Sequence, residues 1–433
     1  MTPGARIAAA IEVVEEIEDR KRPAADALKD WGLSHRFAGS KDRAAIASLV
    51  FDAQRKRASS GFIMGGASPR ASVLGALRQV HDMSAGALAA LCSGEGHAPP
   101  PLNESEIERL AAAGLTGAPS FVAGDFPEWL EPSLAAVFGP AVVAEMSALA
   151  TRAPVDLRVN TLKTTREKVL ASLAYLRAAP TPYSPSGLRL PLAPDGRGPA
   201  LAAEPAYIKG LAEIQDEGSQ LAAILALAKP GEQVLDLCAG AGGKTLALAA
   251  SMQNKGQIHA TDRDGARLMR SIGRLERAGV RNVQVHAPRG KNHVLAGLEG
   301  RCDLVFVDAP CTGTGTWRRN PDAKWRVRPG ALEVRTKEQA AALDRAAPLV
   351  RPGGHVAYVT CSVLAEENGD QVRGFLARHP EFAVVTPAEL LAPLGERALI
   401  FRQAVLMSEE GLQMTPRRTD TDGFFVAVMV RRS

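Results

Sequence analysis

Two cysteines close apolar, strand-like runs in the C-terminal half of the chain, and a thiol so placed can act as a nucleophile. The run DLVFVDAP (303–310) ends in Asp308-Ala309-Pro310 and passes into Cys311 and TGTGTWRRNPDAKWR. The run HVAYVTCS (355–362) ends in Thr360-Cys361-Ser362 and is followed by Val363. A cysteine taken alone is usually a small buried hydrophobe. Two at neighbouring strand ends, beside a Pro-terminated Asp, fit covalent catalysis better, because the carboxyl ends of parallel strands line the ligand crevice. A thiolate that adds to an electron-poor ring divides one hard substitution into easier steps, and Asp308 could hydrogen-bond the ring as charge develops on it. A helix start at Glu366-Glu367, and Arg318, Arg319 and Lys324 in the fourth-strand loop, would favour the thiolate form. Spacing alone leaves open which cysteine attacks.

A second set of residues suits a cofactor. VLDLC runs into AGAGGKT and then a helical LALAASM, so a glycine turn at a strand end lets the backbone approach a ligand and aims a helix N-terminus at it. A phosphate-binding loop GxxxxGK[ST] would need glycine at 238, which is Cys238. A dinucleotide loop GxGxxG starting at Gly240 would need glycine at 245, which is Thr245. The remaining candidate is an S-adenosylmethionine loop, with Asp262 at the end of QIHATD placed for the two ribose hydroxyls.

These residues need a scaffold. From about residue 213, QVLDLC (233–238), QIHATD (257–262), NVQVH (282–286), DLVFVDAP and HVAYVTCS alternate with helix-like segments, which predicts a mostly parallel sheet covered on both faces. FFVAVMVRR adds a last strand. VDLRVNTL (155–162) reads as a strand, and TTREKVLASLAYL as a helix capped by Thr164 or Thr165. Pro180 to Pro199 reads as weakly structured. The first hundred residues read as helical: Thr2 caps a helix with Ile7, Ile11, Val14 and Ile17 on one face. Ser40 caps another, which ends in Arg55, Lys56 and Arg57, charges that suit either a solvated helix end or an RNA contact.

Composition bounds the class. At 433 residues two or three domains are expected. MTPGARIAAAIEVVEEIEDRKRP lacks the apolar core of a secretory signal, and apolar stretches such as Leu221 to Ala228 are far shorter than a membrane span. The five cysteines are scattered with no CxxC pair, so neither a disulfide framework nor a metal site is expected, and a reduced cytoplasmic setting is. A net charge of +5 suits an anionic partner without requiring one. Trp317 to Arg328 carries five basic residues against one acid with two tryptophans interleaved, a pattern suited to single-stranded RNA. It makes Arg318, Arg319 and Lys324 candidate RNA contacts, while Trp325 suits the core.

Taken in order, QDEGSQL (215–221), LDLCAGAGGKT (235–245), DAPCTGTGTWRRNPDAKWR (308–326), TCSVLAEEN (360–368) and DGFF (422–425) resemble the successive motifs of the Fmu/Sun (NOP/Sun) family of RNA 5-methylcytosine methyltransferases. RVNTLK (158–163) is similar to that family's signature ahead of the catalytic domain. The resemblance covers roughly residues 125 to 433. It implies an α/β, Rossmann-like class I methyltransferase domain over 213–433, a small α+β RNA-binding or linking subdomain over 121–212, and an all-α, NusB-like RNA-binding domain over 1–120. It further implies S-adenosyl-L-methionine held by Cys238, Ala239, Gly240, Ala241, Gly242, Gly243 and Lys244, with Asp262 on the ribose and Asp308 serving both cofactor and cytosine. Cys361 would then attack C6 of cytosine, activating C5 for the methyl group, and Cys311 would help release the product. The implied substrate is RNA, small-subunit ribosomal RNA first and transfer RNA second, and the implied state is a monomer. Two positions depart from the family pattern: Ala241 replaces a proline, and Ala287 replaces the acid expected to meet the adenine. A DNA cytosine-C5 enzyme would use the Pro-Cys of the fourth strand and need a long recognition segment, whereas only about seventy residues follow Cys361. A non-catalytic RNA-binding or assembly factor on this scaffold would be expected to lack a cysteine or the glycines.

Overall fold

The structure, a computed structural model, describes residues 1–193, 198–286 and 295–432. The chain divides into two compact units: Met1–Arg152 together with Thr316–Arg328, and Ala153–Gly315 together with Pro329–Ser433.

The first unit is helical. In helix Pro3–Arg20, Thr2 Oγ1 accepts from Ala5 N at 3.2 Å, and Ile7, Val13, Val14 and Ile17 lie buried on the inward face. They pack with Ile46 and Val50 of helix Ser40–Arg55 and Leu74 and Leu77 of helix Pro69–Val80. Ser40 is the first residue of its helix rather than its cap; Gly39 takes that place without a side-chain bond. Residues 121–149 extend this unit as short helices, where a strand-bearing subdomain was expected to begin. Glu128–Leu149 is apolar and long enough by composition to cross a bilayer. Gly139, in a left-handed conformation before Pro140, breaks it, and Leu134, Phe138, Met146 and Leu149 are buried.

The second unit contains two sheets. The smaller is antiparallel: β1 (Val155–Val159), β2 (Ala179–Pro180), β3 (Gly187–Leu190) and β4 (Ala212–Ile214) lie in the order β2-β3-β1-β4. β3, and the last residue of β2, fall in the segment expected to be weakly structured. Helix Arg166–Ser172, capped by Thr165, covers Leu157, Leu188 and Leu190. The larger sheet contains β5 (Gln233–Asp236), β6 (Gln257–Thr261), β7 (Val283–His286), β8 (Cys302–Asp308), β9 (Val350–Thr360), β10 (Phe382–Val384), β11 (Leu406–Met407), β12 (Leu412–Met414) and β13 (Phe424–Arg431). Its path runs β11-β12-β13-β9-β8-β5-β6-β7, with β10 also on β13. Strands β5 to β9 are mutually parallel, and β13 enters antiparallel to β9. Val305, Phe306, Val307, Val356, Tyr358, Val359 and Val426 are fully buried, because helices cover both faces of these central strands. The path reverses at β5, flanked by β6 on one side and β8 on the other, which is where such a sheet opens its ligand crevice.

Candidate active site

The β5 end is a backbone turn. Gly240 and Gly242 have φ of 55° and 80°, a region that side chains other than glycine's rarely enter. A Cβ on Gly242 would stand 2.7 Å from Ser271 Cβ, and one on Gly240 3.0 Å from the Arg267 guanidinium. Helix Gly243–Ser251 starts directly after the turn. Asp262, just beyond β6, accepts from Gly240 N and Asp264 N, each at 2.7 Å, so one carboxylate joins the turn to the next strand. Arg274 holds the turn from outside by donating to Ala241 O at 2.7 Å. Beneath it, Thr245 donates to Asp236 at 2.7 Å, and burial pushes the Asp236 carboxyl up to about 7 despite that bond. A Gly-lined cradle, a helix N-terminus and a carboxylate at the adjacent strand end together fit the amino-acid and ribose parts of S-adenosylmethionine. β7 ends at His286, whose Nε2 lies 2.9 Å from His259 Nδ1; Ala287 lies outside the described residues.

Lys244 ties the cofactor turn to the fourth-strand end. Its backbone belongs to the cofactor turn, but its Nζ donates to Asp308 Oδ2 at 2.7 Å and sits 5.0 Å from the centre of the Phe424 ring. Burial pulls this ammonium's pKa down, but Asp308 more than offsets it and the net shift is upward, so the lysine stays charged.

At the β8 and β9 ends the two candidate thiols meet, with Cys311 Sγ 3.3 Å from Cys361 Sγ. The hydrogen bond to Cys361 and then burial raise the Cys311 thiol well above its ordinary range, so Cys311 keeps its proton. The other cysteines are poor nucleophiles. Cys92 is buried, and burial raises its thiol; burial also pushes Cys238 and Cys302 up to about 12 each, with nearby carboxylates adding to the effect.

Residues whose part the sequence did not reveal hold these loops. Glu366-Glu367 is not the helix start: Ala365–Glu367 is a 3-10 turn, and the helix that follows is Gly369–Arg378. Glu367 is fully buried and accepts from Thr312 N at 2.8 Å and Gln339 Nε2 at 3.0 Å. Thr314 and Ser362 hydroxyls lie 3.0 Å apart, and Gly315 N donates to Cys361 O at 3.0 Å. Thr312, Glu367 and Asn368 all fall inside the quoted motifs, but only three-dimensional contact reveals what they do.

The basic segment differs from its expected role. Arg318 and Lys324 are each 1% exposed, inside the helical unit rather than on a surface. Arg318 O accepts from Arg55 Nη2 at 3.0 Å, and Lys324 Nζ donates to Arg55 O at 3.1 Å. Burial brings the Lys324 pKa down to about 7. Trp325, expected in the core, is half-buried, with its Nε1 donating to Gln54 O at 2.7 Å, and it is Trp317 that is buried. Of the three candidate RNA contacts only Arg319 is half-exposed. The helix-end charges are also engaged: Arg55 pairs with Asp52, Lys56 with Asp125 and Arg57 with Glu18.

A parallel sheet that reverses at a glycine turn, with an acid closing the next strand, defines a Rossmann-like methyltransferase fold. Residues 222–430 match the family model described as 16S rRNA methyltransferase RsmB/F, and residues 126–195 match the RsmF/B-like ferredoxin-like domain. The chain belongs to the RsmB/F (Fmu/Sun) methyltransferase family. It is 33% identical over 308 residues to the probable ribosomal RNA small subunit methyltransferase B of Synechocystis, covering 70% of this chain and 66% of that protein. Identity to the ribosomal RNA small subunit methyltransferase B of Salmonella typhi is also 33%, over 71% of this chain and 66% of that protein. The chain therefore spans just under two thirds of these relatives. Among solved structures, PH0851 superposes with a TM-score of 0.73 at 26% identity, over 99% of each chain.

Proposed function

We propose that this protein methylates C5 of a cytosine in RNA, with small-subunit ribosomal RNA the first candidate, acting as a monomer in the cytoplasm. The observation that carries the reading is the 3.3 Å approach of two thiols at adjacent strand ends, in the unit whose glycine turn and Asp262 suit the cofactor. The relatives' names support the choice of ribosomal RNA.

Bound S-adenosylmethionine would supply an electrophilic methyl group beside the thiols. The family resemblance makes Cys361 the attacking sulfur, and the raised thiol of Cys311 suits the supporting role. Its thiolate adds to C6, and the electron pair of the C5–C6 double bond moves to C5, which takes the methyl group. The Lys244–Asp308 pair offers a charged hydrogen-bonding edge to the ring as negative charge builds there. A solvent water then takes the C5 proton, the double bond re-forms, and the C6–S bond breaks, so Cys361 departs as thiolate. The Cys311 S–H, 3.3 Å away, can hydrogen-bond that leaving sulfur. Reaching C6 and C5 requires an unstacked base, so the target cytosine lies in a loop or is flipped out.

Bisulfite sequencing of RNA from cells lacking the gene tests substrate and product together. The expected result is loss of one 5-methylcytosine from small-subunit ribosomal RNA. An unchanged pattern in every RNA class overturns the reading, and a loss confined to transfer RNA moves the target.

A further inference from the structure

Glu367 and Asn368 are adjacent and buried, at 0% and 3% exposure, and their side chains reach different loops. The Glu367 carboxylate accepts from Thr312 N at 2.8 Å and from the Thr312 hydroxyl, on the C-terminal side of Cys311. Gln339 Nε2 joins Glu367, at 3.0 Å, to Pro310 O, at 2.9 Å, on the N-terminal side. The residues flanking Cys311 are thus both fixed by one carboxylate and one amide.

Asn368 does the same for the other thiol. Its Oδ1 accepts from Thr360 Oγ1 at 2.5 Å, and its Nδ2 donates to Ser362 O at 3.0 Å, so the residues on either side of Cys361 are fixed. Gln413 braces this arm by accepting from Asn368 Nδ2 at 2.8 Å and donating to Ser362 O at 3.2 Å. Tyr358 Oη donates to Glu367 O at 2.6 Å and pins the backbone between the two side chains to β9. Neither side chain bonds a cysteine sulfur. Each holds the peptide units around one.

We infer that Glu367 and Asn368 are paired positioning residues, Glu367 setting the loop of Cys311 and Asn368 the loop of Cys361, so that together they fix the sulfur–sulfur distance. The assignment rests on the covalent reading above and extends it to residues that touch neither substrate nor sulfur. Buried, fully bonded polar groups hold one geometry firmly, and a misplacement of about 1 Å can cost about 10²-fold in rate.

The two arms predict opposite kinetic defects, which a general loss of packing would not produce. Target RNA, cofactor and each full-length variant are mixed under single-turnover conditions, and the covalent band is followed by denaturing gel, with melting temperature measured in parallel. Glu367→Ala should form the band at a rate within about threefold of the unsubstituted protein but release it about tenfold more slowly, so the band accumulates. Asn368→Ala should form it about tenfold more slowly, with little accumulation. Should either fail to fold, Glu367→Gln, which keeps an acceptor for Thr312 N, and Asn368→Asp, which keeps one for Thr360, should show the same split in weaker form. Equal effects on formation and release in both variants, no effect in either, or the reverse split overturns the assignment. Cys361→Ala and Cys311→Ala run alongside: a band from Cys361→Ala only reverses the roles of the two thiols and overturns the pairing, whereas no band from either, with methylation intact in both, overturns the covalent reading itself and takes the pairing with it.

Discussion

The two ends of the crevice are built from different material. At β5 and β6 the work is done by backbone: two glycines in left-handed conformations, a helix start, and one carboxylate bonded to amide N–H groups. At β8 and β9 it is done by side chains, with Thr312, Thr314, Gln339, Ser362, Glu367 and Asn368 joined in buried hydrogen bonds around two sulfurs. A cofactor must enter and leave at each turnover, and a backbone cradle presents donors with few side chains to displace. On the covalent reading proposed above the thiols stay within a hydrogen bond of each other, and an interlocked network holds them there. The first end should therefore tolerate change in stability and lose ligand affinity, while the second should lose rate and stability together.

The largest expected effect lies at the thiols. Cys361→Ala should reduce single-turnover methylation on the order of 10³-fold or more and give no covalent band. Methylation within tenfold of normal would remove the reaction centre from this end and with it the contrast. Next come the glycines. A Cβ on Gly315 would stand 2.0 Å from Gly423 O, whereas one on Gly243 meets nothing nearer than an Arg274 nitrogen at 3.8 Å. Gly315→Ala should cost about 3 kcal/mol in urea unfolding and Gly243→Ala less than about 0.5 kcal/mol. Equal costs would show that both ends are packed alike.

Asp262→Ala should weaken S-adenosylmethionine by about 1.5–3 kcal/mol in calorimetry, through lost charge-assisted hydrogen bonds. Unchanged affinity would leave the ribose without its partner. The smallest effect concerns Asp236, the buried titrating group beneath the cradle. Its folded-state pKa, about 7, lies above the unfolded value of roughly 3.9. The native state then binds more protons across that window, so this group's contribution is full below about pH 4 and is lost as pH rises to about 7. The melting temperature of Asp236→Asn should gain on the unsubstituted protein by a few degrees over that range, and parallel curves would show that Asp236 is solvated.

Much of this was legible in the chain because it is periodic or local. The strands that carry the site are short apolar runs between helix-like segments, and strand direction brings Cys311 and Cys361 together without any knowledge of side-chain detail. The glycine turn could be told from two other nucleotide loops by one residue each, Cys238 and Thr245. Long-range partners were not legible. Lys244 reads as part of the cradle because its neighbours are, yet its ammonium meets a carboxylate sixty-four residues away. Glu367 reads as a helix start because acids favour that position, but its partners, Thr312 and Gln339, lie in other segments. Trp317 to Arg328 misled most, because five basic residues look like a surface. Backbone carbonyls of the helical unit, such as Arg55 O and Gln54 O, instead accept the polar tips of Lys324 and Trp325, a form of satisfaction that leaves no mark in the sequence.

That segment also sets a timetable for the newborn chain. The amide of Ala24 is bonded by Asp322, 298 residues later, at 3.1 Å. At 5–20 residues per second the ribosome needs roughly 15–60 s between the two. Throughout that interval the N-terminal helices can assemble among themselves, but the positions that receive Lys324 and Trp325 stay open. The helical unit is the first to be begun, yet it is sealed only after β8 has been made, because its final piece is spliced between β8 and β9. A chain stopped at residue 152 would carry every helix of that unit up to Leu149 and still expose the sites that the missing thirteen residues fill.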